Sequence, residues 1–254
     1  TTHSIDNERF MAGDLRFERN GATGSVVNEG ELRTKLEGYV ALLAPEVRNQ
    51  GLIIAAKGTV ALGAGEQIEL VLDPQNKLTN IRVSAGQWQA LVDNRQAIEA
   101  EDGLVILSAM AARDLQASVV NNSGSINANS LASVGGRVIL TGDAITLKNG
   151  STITATGATG GGQVLVGGDW QGSGDMHQAT TVTMEQGAII DTSATENGDG
   201  GTVVLWSDVS KAESVTTAKG TILSKGGANS GDGGQIETSG HTLDIAGATV
   251  DASA

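Results

Sequence analysis

Two aspartates are the first candidates for chemistry in this chain. Asp199 and Asp232 occur in the matching phrases Asn-Gly-Asp-Gly-Gly (197–201) and Ser-Gly-Asp-Gly-Gly (230–234). Glycoside hydrolysis needs two carboxyl groups about 5 to 10 Å apart, whereas Asp-Gly also forms tight turns. The chain does not repeat the Gly-Gly-x-Gly-x-Asp nonapeptide of calcium-binding β-rolls. We interpret both aspartates as turn residues, with a calcium site and catalysis as the alternatives.

Other groups with catalytic or ligating potential are few. Asp191, Asp244 and Asp251 lie in or at the ends of predicted strands. His3, His177 and His241 are the only histidines and the chain has no cysteine, so a structural zinc site is excluded. No Gly-x-Ser-x-Gly elbow and no P-loop occur. We predict that the chain is not an enzyme and has no catalytic, cofactor-binding or metal-binding residues.

One histidine and the tryptophans leave binding roles open. His177 lies in a predicted loop, where we favour a solvated side chain over haem or metal contact. Trp88 and Trp170 fall in segments that interrupt the repeat, and Trp206 ends a predicted strand. A tryptophan can stack on a sugar ring or pin a loop to the body of a protein, and both roles stay open here.

Bulk composition excludes several classes of partner. The 254 residues include 16 basic and 29 acidic side chains, for a formal net charge of −13 without a basic block. Binding to nucleic acid or to anionic lipid is therefore not expected. No apolar run reaches about 18 residues, so we expect no membrane insertion. With 36 glycines and 2 % aromatics, the chain is typical of a solenoid and not of a globular enzyme with an aromatic-lined pocket.

A short phrase organises the whole sequence: a glycine followed by alternating spacer and apolar residues. Its copies begin at Gly38, Gly58, Gly103, Gly136, Gly162, Gly201 and Gly234. Alternation with period two after a glycine predicts a turn that leads into a half-buried strand. The last four copies are each followed by two further short strands, so each unit reads as one three-sided coil. Stacked coils of this kind predict a parallel β-helix, with glycine at corners that need positive φ.

Departures from the repeat divide the chain into three parts of one solenoid. We predict β-helix over residues 1–65, an extra-helical insertion over 66–97, and continuing coils over 98–254. Within the insertion, strands at 67–72 and 78–83 flank a turn and predict a hairpin. The pattern over residues 85–100 predicts a short helix. A helical turn is expected at 110–115, and residues 167–179 form a loop.

The first coil is expected to be incomplete. We predict its strands over 10–17, 25–30 and 31–36, with no cap before them. Exposed β-helix ends invite aggregation, so we expect further polypeptide upstream. Asparagine-rich turns such as 121–123 are expected to stack between coils as internal ladders.

Several long phrases resemble one family. Asn-Glu-Arg-Phe-Met-Ala-Gly (7–13), the phrase that spans 38–51, Gly-Asp-Trp-Gln-Gly (168–172), Gly-Asp-Gly-Gly-Thr-Val-Val-Leu-Trp-Ser (198–207) and Glu-Thr-Ser-Gly (237–240) carry the likeness. They resemble the filamentous-haemagglutinin type of exoprotein that is exported by two-partner secretion. The likeness covers almost the whole chain.

This resemblance implies an all-β, right-handed parallel β-helix, secreted or held on the outer surface of a Gram-negative bacterium. It implies export through an outer-membrane TpsB-type transporter and a role as a rigid adhesin stalk, with a host or matrix glycan or protein as ligand. Related exoproteins act in biofilm and virulence, capture haem or polysaccharide, or carry haemolysin and contact-dependent toxin domains. The secretion domains of the family carry Asn-Pro-Asn-Gly or Asn-Pro-Asn-Leu. This chain has neither motif, so we place its start after that point of such a protein. Residues 1–65 are then the later part of the secretion-domain-like β-helix, and residues 98–254 are continuing coils.

Overall fold

Three parallel β-sheets, wound by the chain in successive coils, form the body of the protein. The computed structural model describes residues 1–87, 89–112 and 118–254. Each coil adds one short strand to each sheet, and each strand pairs with its counterparts in the coils before and after it. This arrangement confirms the predicted all-β parallel β-helix with extra-helical insertions.

The strands follow the glycine phrases. In the described residues, sheet 1 begins directly after each phrase glycine and contains Tyr39–Leu43, Thr59–Ala64, Leu104–Ala109, Arg137–Thr141, Gln163–Val166, Thr202–Trp206 and Gln235–Ser239. Sheet 2 contains Ser25–Asn28, Glu46–Asn49, Ala90–Asn94, Ser118–Asn122, Ala144–Leu147, Thr181–Met184, Val215–Ala218 and Thr242–Asp244. Sheet 3 contains Glu31–Arg33, Leu52–Ile54, Ala97–Glu99, Ser125–Asn127, Thr152–Thr154, Ile189–Asp191, Thr221–Leu223 and Thr249–Asp251.

The remaining elements lie outside the three sheets. A small antiparallel sheet contains Arg16–Glu18, Gln67–Leu72 and Leu78–Ser84, in that order from edge to edge. A short helix spans Asn7–Met11, and a single 3₁₀ turn spans Trp170–Gly172. In the described residues the coil strands make seven complete coils after an incomplete first one, as the sequence predicted.

Columns of identical or similar side chains fill the interior. Register places like residues above one another, and their side chains are fully buried in the central coils. Three such columns are formed by Val60, Val105, Val138, Val164 and Val203 in sheet 1, by Leu62, Leu107 and Leu140 beside them, and by Ile53, Ile98, Ile126, Ile153, Ile190 and Ile222 in sheet 3. Burial of each side chain contributes about 1.5 to 3 kcal/mol. Because the columns run from coil to coil, the core is one continuous apolar rod.

The phrase glycines are required by close approach between coils. None of the seven has positive φ, so the prediction that they serve strained corners is wrong for them. A Cβ at Gly58, Gly103, Gly136, Gly162, Gly201 or Gly234 would instead collide with the carbonyl oxygen of the phrase glycine one coil earlier. The residue after each glycine donates its N–H to that same oxygen, for example Leu104 N to Gly58 O at 2.9 Å. Positive φ is found instead at Gly150 (+83°) and Gly247 (+87°), which lie in turns between sheets 2 and 3.

An asparagine ladder replaces the apolar filling at one interior corner. The side-chain amide of Asn28 donates to Asn49 Oδ1, Asn49 donates to Asn94, and Asn94 donates to Asn122, each at 2.8 Å. All four side chains are buried. The next rung in register is Leu147, and the Asn122 amide nitrogen has no hydrogen-bond partner. The ladder predicted around 121–123 is therefore confirmed, and it extends through four coils.

The N-terminal segment differs from its prediction. Residues 10–17 do not form one strand, because Asp6 caps a helix at Asn7–Met11 by accepting the N–H groups of Glu8 and Arg9. The capping aspartate accepts backbone N–H groups that would need a neighbouring strand as partner if this segment were extended. Only Arg16–Glu18 is extended, and it pairs with the hairpin and not with a coil.

The segment after the hairpin is also corrected. The predicted hairpin is confirmed by the antiparallel pairing of Gln67–Leu72 with Leu78–Ser84. The predicted helix over 85–100 is wrong, since Ala90–Asn94 and Ala97–Glu99 belong to sheets 2 and 3. The extra-helical segment thus ends before Ala90, short of the predicted boundary at 97. Trp88 and the second half of the helical turn expected at 110–115 lie outside the described residues.

Removal of a middle rung tests the ladder. We expect Asn49→Ala to lower the free energy of unfolding by about 2 to 4 kcal/mol, because it leaves a buried donor on Asn28 and a buried acceptor on Asn94 unpaired. The measurement is urea denaturation followed by far-UV circular dichroism. The control is Asn121→Ala, a half-buried neighbour of the last rung. Equal denaturation midpoints for the two variants would contradict the ladder's role.

Candidate functional site on the outer face of sheet 1

The outer face of sheet 1 is apolar, unlike that of an ordinary solvated sheet. Outward positions of successive coils carry Ala61, Ile106, Ile139, Leu165 and Val204, which lie in register. All but Ile139 are 2 % exposed or less, and Ile139 is half-buried. A strand with apolar residues on both faces must be covered on both. Two additional segments provide the covering layer, and they are the two insertions that the sequence indicated.

The hairpin covers the first part of this face. Ile68, Leu78 and Ile81 pack against Leu43, Ala61 and Ile106, with Phe17 of the N-terminal strand beside them. The buried ring of His3 fixes the N-terminal segment, with Nε2 donating to Gly65 O at 2.9 Å. Its Nδ1 is buried without a partner. Burial lowers the pKa of His3, because the buried ring loses the hydration that stabilises its charged form.

The loop predicted at 167–179 covers the second part. Its ends meet, with Ala179 N donating to Gly167 O at 2.7 Å. Trp170 and Met176 pack against Leu165, Val204 and Trp206. Of the two roles left open for Trp170 and Trp206, the structure therefore shows that both pin the loop to the coil.

Three of the phrases that resemble the exoprotein family meet at this loop. The backbone at Gly168 and Gly172 lies so close to the Trp206 indole that a Cβ on either residue would collide with the ring. The indole Nε1 donates to Gln178 Oε1 at 2.9 Å. Glu237, from the last phrase, accepts the N–H of Gln171 at 2.7 Å. The likeness to the family at these three places corresponds to one set of contacts.

A cleft separates the two covering segments. Its floor is the strand Arg137–Thr141, which presents Arg137, Ile139 and Thr141 outward, and its volume is about 520 Å³. Residues 79–83 of the hairpin form one wall. Asp169, Asp175, Met176 and His177 of the loop form the other. The Arg137 side chain is exposed and has no ion-pair partner among the described residues.

His177 is a fastening for the loop. Its Nε2 donates to Asp143 Oδ1 at 2.7 Å, and the Asp143 side chain is only 15 % exposed. Asp143 also accepts two backbone N–H groups from the coil at its carbonyl oxygen, those of Thr180 and Thr181. The prediction that His177 is a solvated loop side chain is therefore wrong. The side chain attaches the loop to Asp143, directly before the sheet 2 strand Ala144–Leu147. His241, by contrast, is exposed.

The two candidate aspartates are brought together as turn residues. Asp199 Oδ1 accepts the N–H of Asp232 at 2.8 Å, so the carboxylate links equivalent turns of neighbouring coils. The Asp232 carbonyl in turn accepts the N–H of Gly200 at 2.9 Å. In the described part of the chain, no group of three or more His, Cys, Asp or Glu residues is placed to hold a metal ion.

Other aspartates at strand ends also serve turns. The N–H groups of Ser193, Ala246 and Ser253 donate to Asp191, Asp244 and Asp251, two residues earlier in each case. The Ala246 N–H holds the pKa of Asp244 below its ordinary value, and the Ser253 hydroxyl does the same for the pKa of Asp251. A glycosidase general acid requires a raised pKa, so these two carboxyl groups do not fit that role.

Sequence reasoning did not identify Arg137, Ile139 or Asp143 as parts of a site. A signal was present, because the sheet 1 strands read as nearly continuous apolar runs, such as Leu-Val-Ile-Leu at 104–107. Continuous runs indicate a strand that is covered on both faces.

No helix in the described ranges is long and apolar enough to span a membrane.

Comparison with known proteins finds similarity among solved structures. No protein-family model and no curated protein matches the chain. Among solved structures, the HMW1 secretion domain from Haemophilus influenzae matches with a TM-score of 0.75 and 28 % sequence identity. The match covers 99 % of this chain and 71 % of that one. It confirms the resemblance to two-partner secretion exoproteins that the sequence phrases indicated.

Substitution of Trp206 tests the attachment of the loop. We expect Trp206→Phe to lower the free energy of unfolding by about 1 to 3 kcal/mol and to speed proteinase K cleavage within 167–179, because the bond to Gln178 and part of the stacking surface are lost. Cleavage sites are assigned by mass spectrometry. Tyr39→Phe, an exposed aromatic change on the same sheet, is the control. Cleavage of the loop at an unchanged rate would contradict the attachment.

Proposed function

We propose that this chain is the β-helical secretion region of a bacterial exoprotein that is exported by two-partner secretion through an outer-membrane TpsB-type transporter. The observation that carries the proposal is the match to a secretion domain over 99 % of the chain. The exported product is secreted or remains on the outer surface of a Gram-negative cell.

We further propose that the folded coils act as the rigid stalk of an adhesin. Eight stacked coils at about 4.8 Å each give a body on the order of 40 Å long. Uninterrupted sheets and one continuous core make such a rod stiff, and they hold any ligand-binding part of the exoprotein away from the cell. Stacking of each new coil on the last also favours outward movement of the chain during export. That step needs no enzyme and no bound nucleotide.

A second candidate is capture of a ligand, such as a haem carrier or a polysaccharide. The observation that favours it is the cleft of about 520 Å³ between the hairpin and the loop. The same β-helical region could also serve as the carrier of a haemolysin or contact-dependent toxin domain, and the rigidity of the coils suits that role equally.

The export role is tested in the intact exoprotein, produced together with its transporter. Deletion of residues 1–254 is expected to leave the protein in the periplasm. Leu140→Asp is expected to reduce the amount in the medium and on the cell surface about tenfold, because a buried charge at a fully buried core position disrupts coil stacking. Lys148→Asp, at an exposed position, is the matched control. Export of the deletion variant at the wild-type level would overturn the proposal.

Absence of catalysis is proposed as part of the stalk role and has its own test. Acidic and neutral polysaccharides are incubated with the protein, and new reducing ends are measured. We expect no turnover by the wild type, and slightly lower thermal stability for Asp199→Asn because its bond to the Asp232 N–H is weakened. Turnover that is lost in both Asp199→Asn and Asp232→Asn would establish an enzyme instead.

A further inference from the structure

The hairpin ends in a strand with a free edge. In the antiparallel sheet, Leu78–Ser84 is the last strand, and among the described residues nothing pairs with its outer edge. Ile81 lies opposite Leu70, whose N–H is directed away from it to Leu15 O at 3.1 Å. In antiparallel pairs such residues turn their own N–H and C=O groups outward. Ile81, and Val83 two residues on, therefore present main-chain groups to the cleft.

The free edge has only a local substitute partner. The Ile81 N–H is satisfied by the side-chain oxygen of its own neighbour, Asn80, at 2.9 Å. Arg82, between the two edge residues, faces the paired side and bonds Glu69 across the hairpin at 3.2 Å. The strand is thus held by strand pairing at one edge, and its other edge has no strand partner among the described residues.

The cleft beside this edge has the width of one strand. The edge strand runs alongside Thr59–Ala64 in the same direction, since the Thr59 hydroxyl donates to Leu78 O at 2.6 Å and Gly63 faces Ile81. Ile106 is covered by the hairpin and Leu165 by the loop, and these two positions are two rungs apart in sheet 1. Two rungs span about 10 Å. Between them Ile139 remains partly open.

We propose that this cleft binds an extended polypeptide segment, which adds as a further strand to the free edge at Ile81 and Val83. Strand addition of this kind uses main-chain hydrogen bonds for affinity and side-chain pockets for specificity. The edge forms one wall of the cleft and the loop forms the other, and the space between them fits a single extended segment. The site belongs to the folded scaffold and does not depend on the export role.

The floor of the cleft defines the preferred sequence of the segment. Residues of the added strand that point inward meet Arg137 and Ile139, which are two residues apart and face the same way. An acidic side chain beside Arg137 gains a charge-assisted pair, and an apolar side chain covers Ile139. Asp169 and Asp175 in the opposite wall disfavour a second acidic side chain. An oligosaccharide would leave the regular donors and acceptors of the edge out of register, which is why a peptide fits better.

A labelled peptide tests the proposal. The probe is a fluorescein-labelled peptide of eight residues in which valine alternates with threonine and a glutamate replaces one central valine. Fluorescence anisotropy with the full chain is expected to show saturable binding. Val83→Pro removes one outward N–H and is expected to weaken binding about tenfold or more, whereas Val83→Thr keeps the N–H and retains binding.

Two further arms keep the test decisive. A probe with N-methyl groups on alternate amides is expected to lose binding to the unmodified protein, which remains informative if Val83→Pro does not fold. Arg137→Gln is expected to weaken binding of the glutamate probe but not of the same peptide with valine in place of the glutamate. Arg33→Gln, on sheet 3, is the control. Equal binding of the N-methylated probe, or displacement of the probe by dextran but not by unlabelled peptide, would overturn the proposal.

Discussion

Contact between the main chains of successive coils is the constraint on which the rest of this structure depends. At the corner before sheet 1, each coil rests directly on the glycine of the coil before it, and no side chain of any size fits between. The corner between sheets 2 and 3 is only a short turn in most coils. The corner after sheet 1 accommodates the two insertions that form the covering layer. The hairpin and the 167–179 loop both leave the solenoid there, and this shared exit is why they cover the same face.

The regular part of the fold could be predicted because its cause is local and repeats. A glycine followed by alternating apolar residues specifies a corner and a strand wherever it occurs, and the hairpin follows from two strands around Asp73-Pro74. The wrong assignments of strand and helix had two causes, a distant partner in one case and a local cap in the other. Residues 90–94 carry apolar residues at spacings that suit a short helix, but Val92 and Asn94 complete columns already set by the coils on either side. Residues 7–11 are helical because one aspartate caps them.

The candidate site could be predicted only in outline. Sequence reasoning located the two insertions, and it could not place them side by side, because their meeting depends on which corner each one leaves. Trp170 and His177 were candidates for ligand contact, yet their partners Trp206 and Asp143 show that they hold the loop in place. The residues that line the cleft floor, Arg137 and Ile139, belong to an ordinary coil strand. They differ from their counterparts only because the covering layer stops on either side of them.

The asparagine ladder has a direction, since every amide donates toward the C-terminal coil, and it ends in one unpaired donor at Asn122. A ladder of two rungs would end with one such donor, and so would a ladder of ten. Duplication or loss of a whole coil within this region therefore leaves the number of buried, unsatisfied amides unchanged. With respect to the ladder, the length of the N-terminal part of the solenoid is therefore thermodynamically neutral.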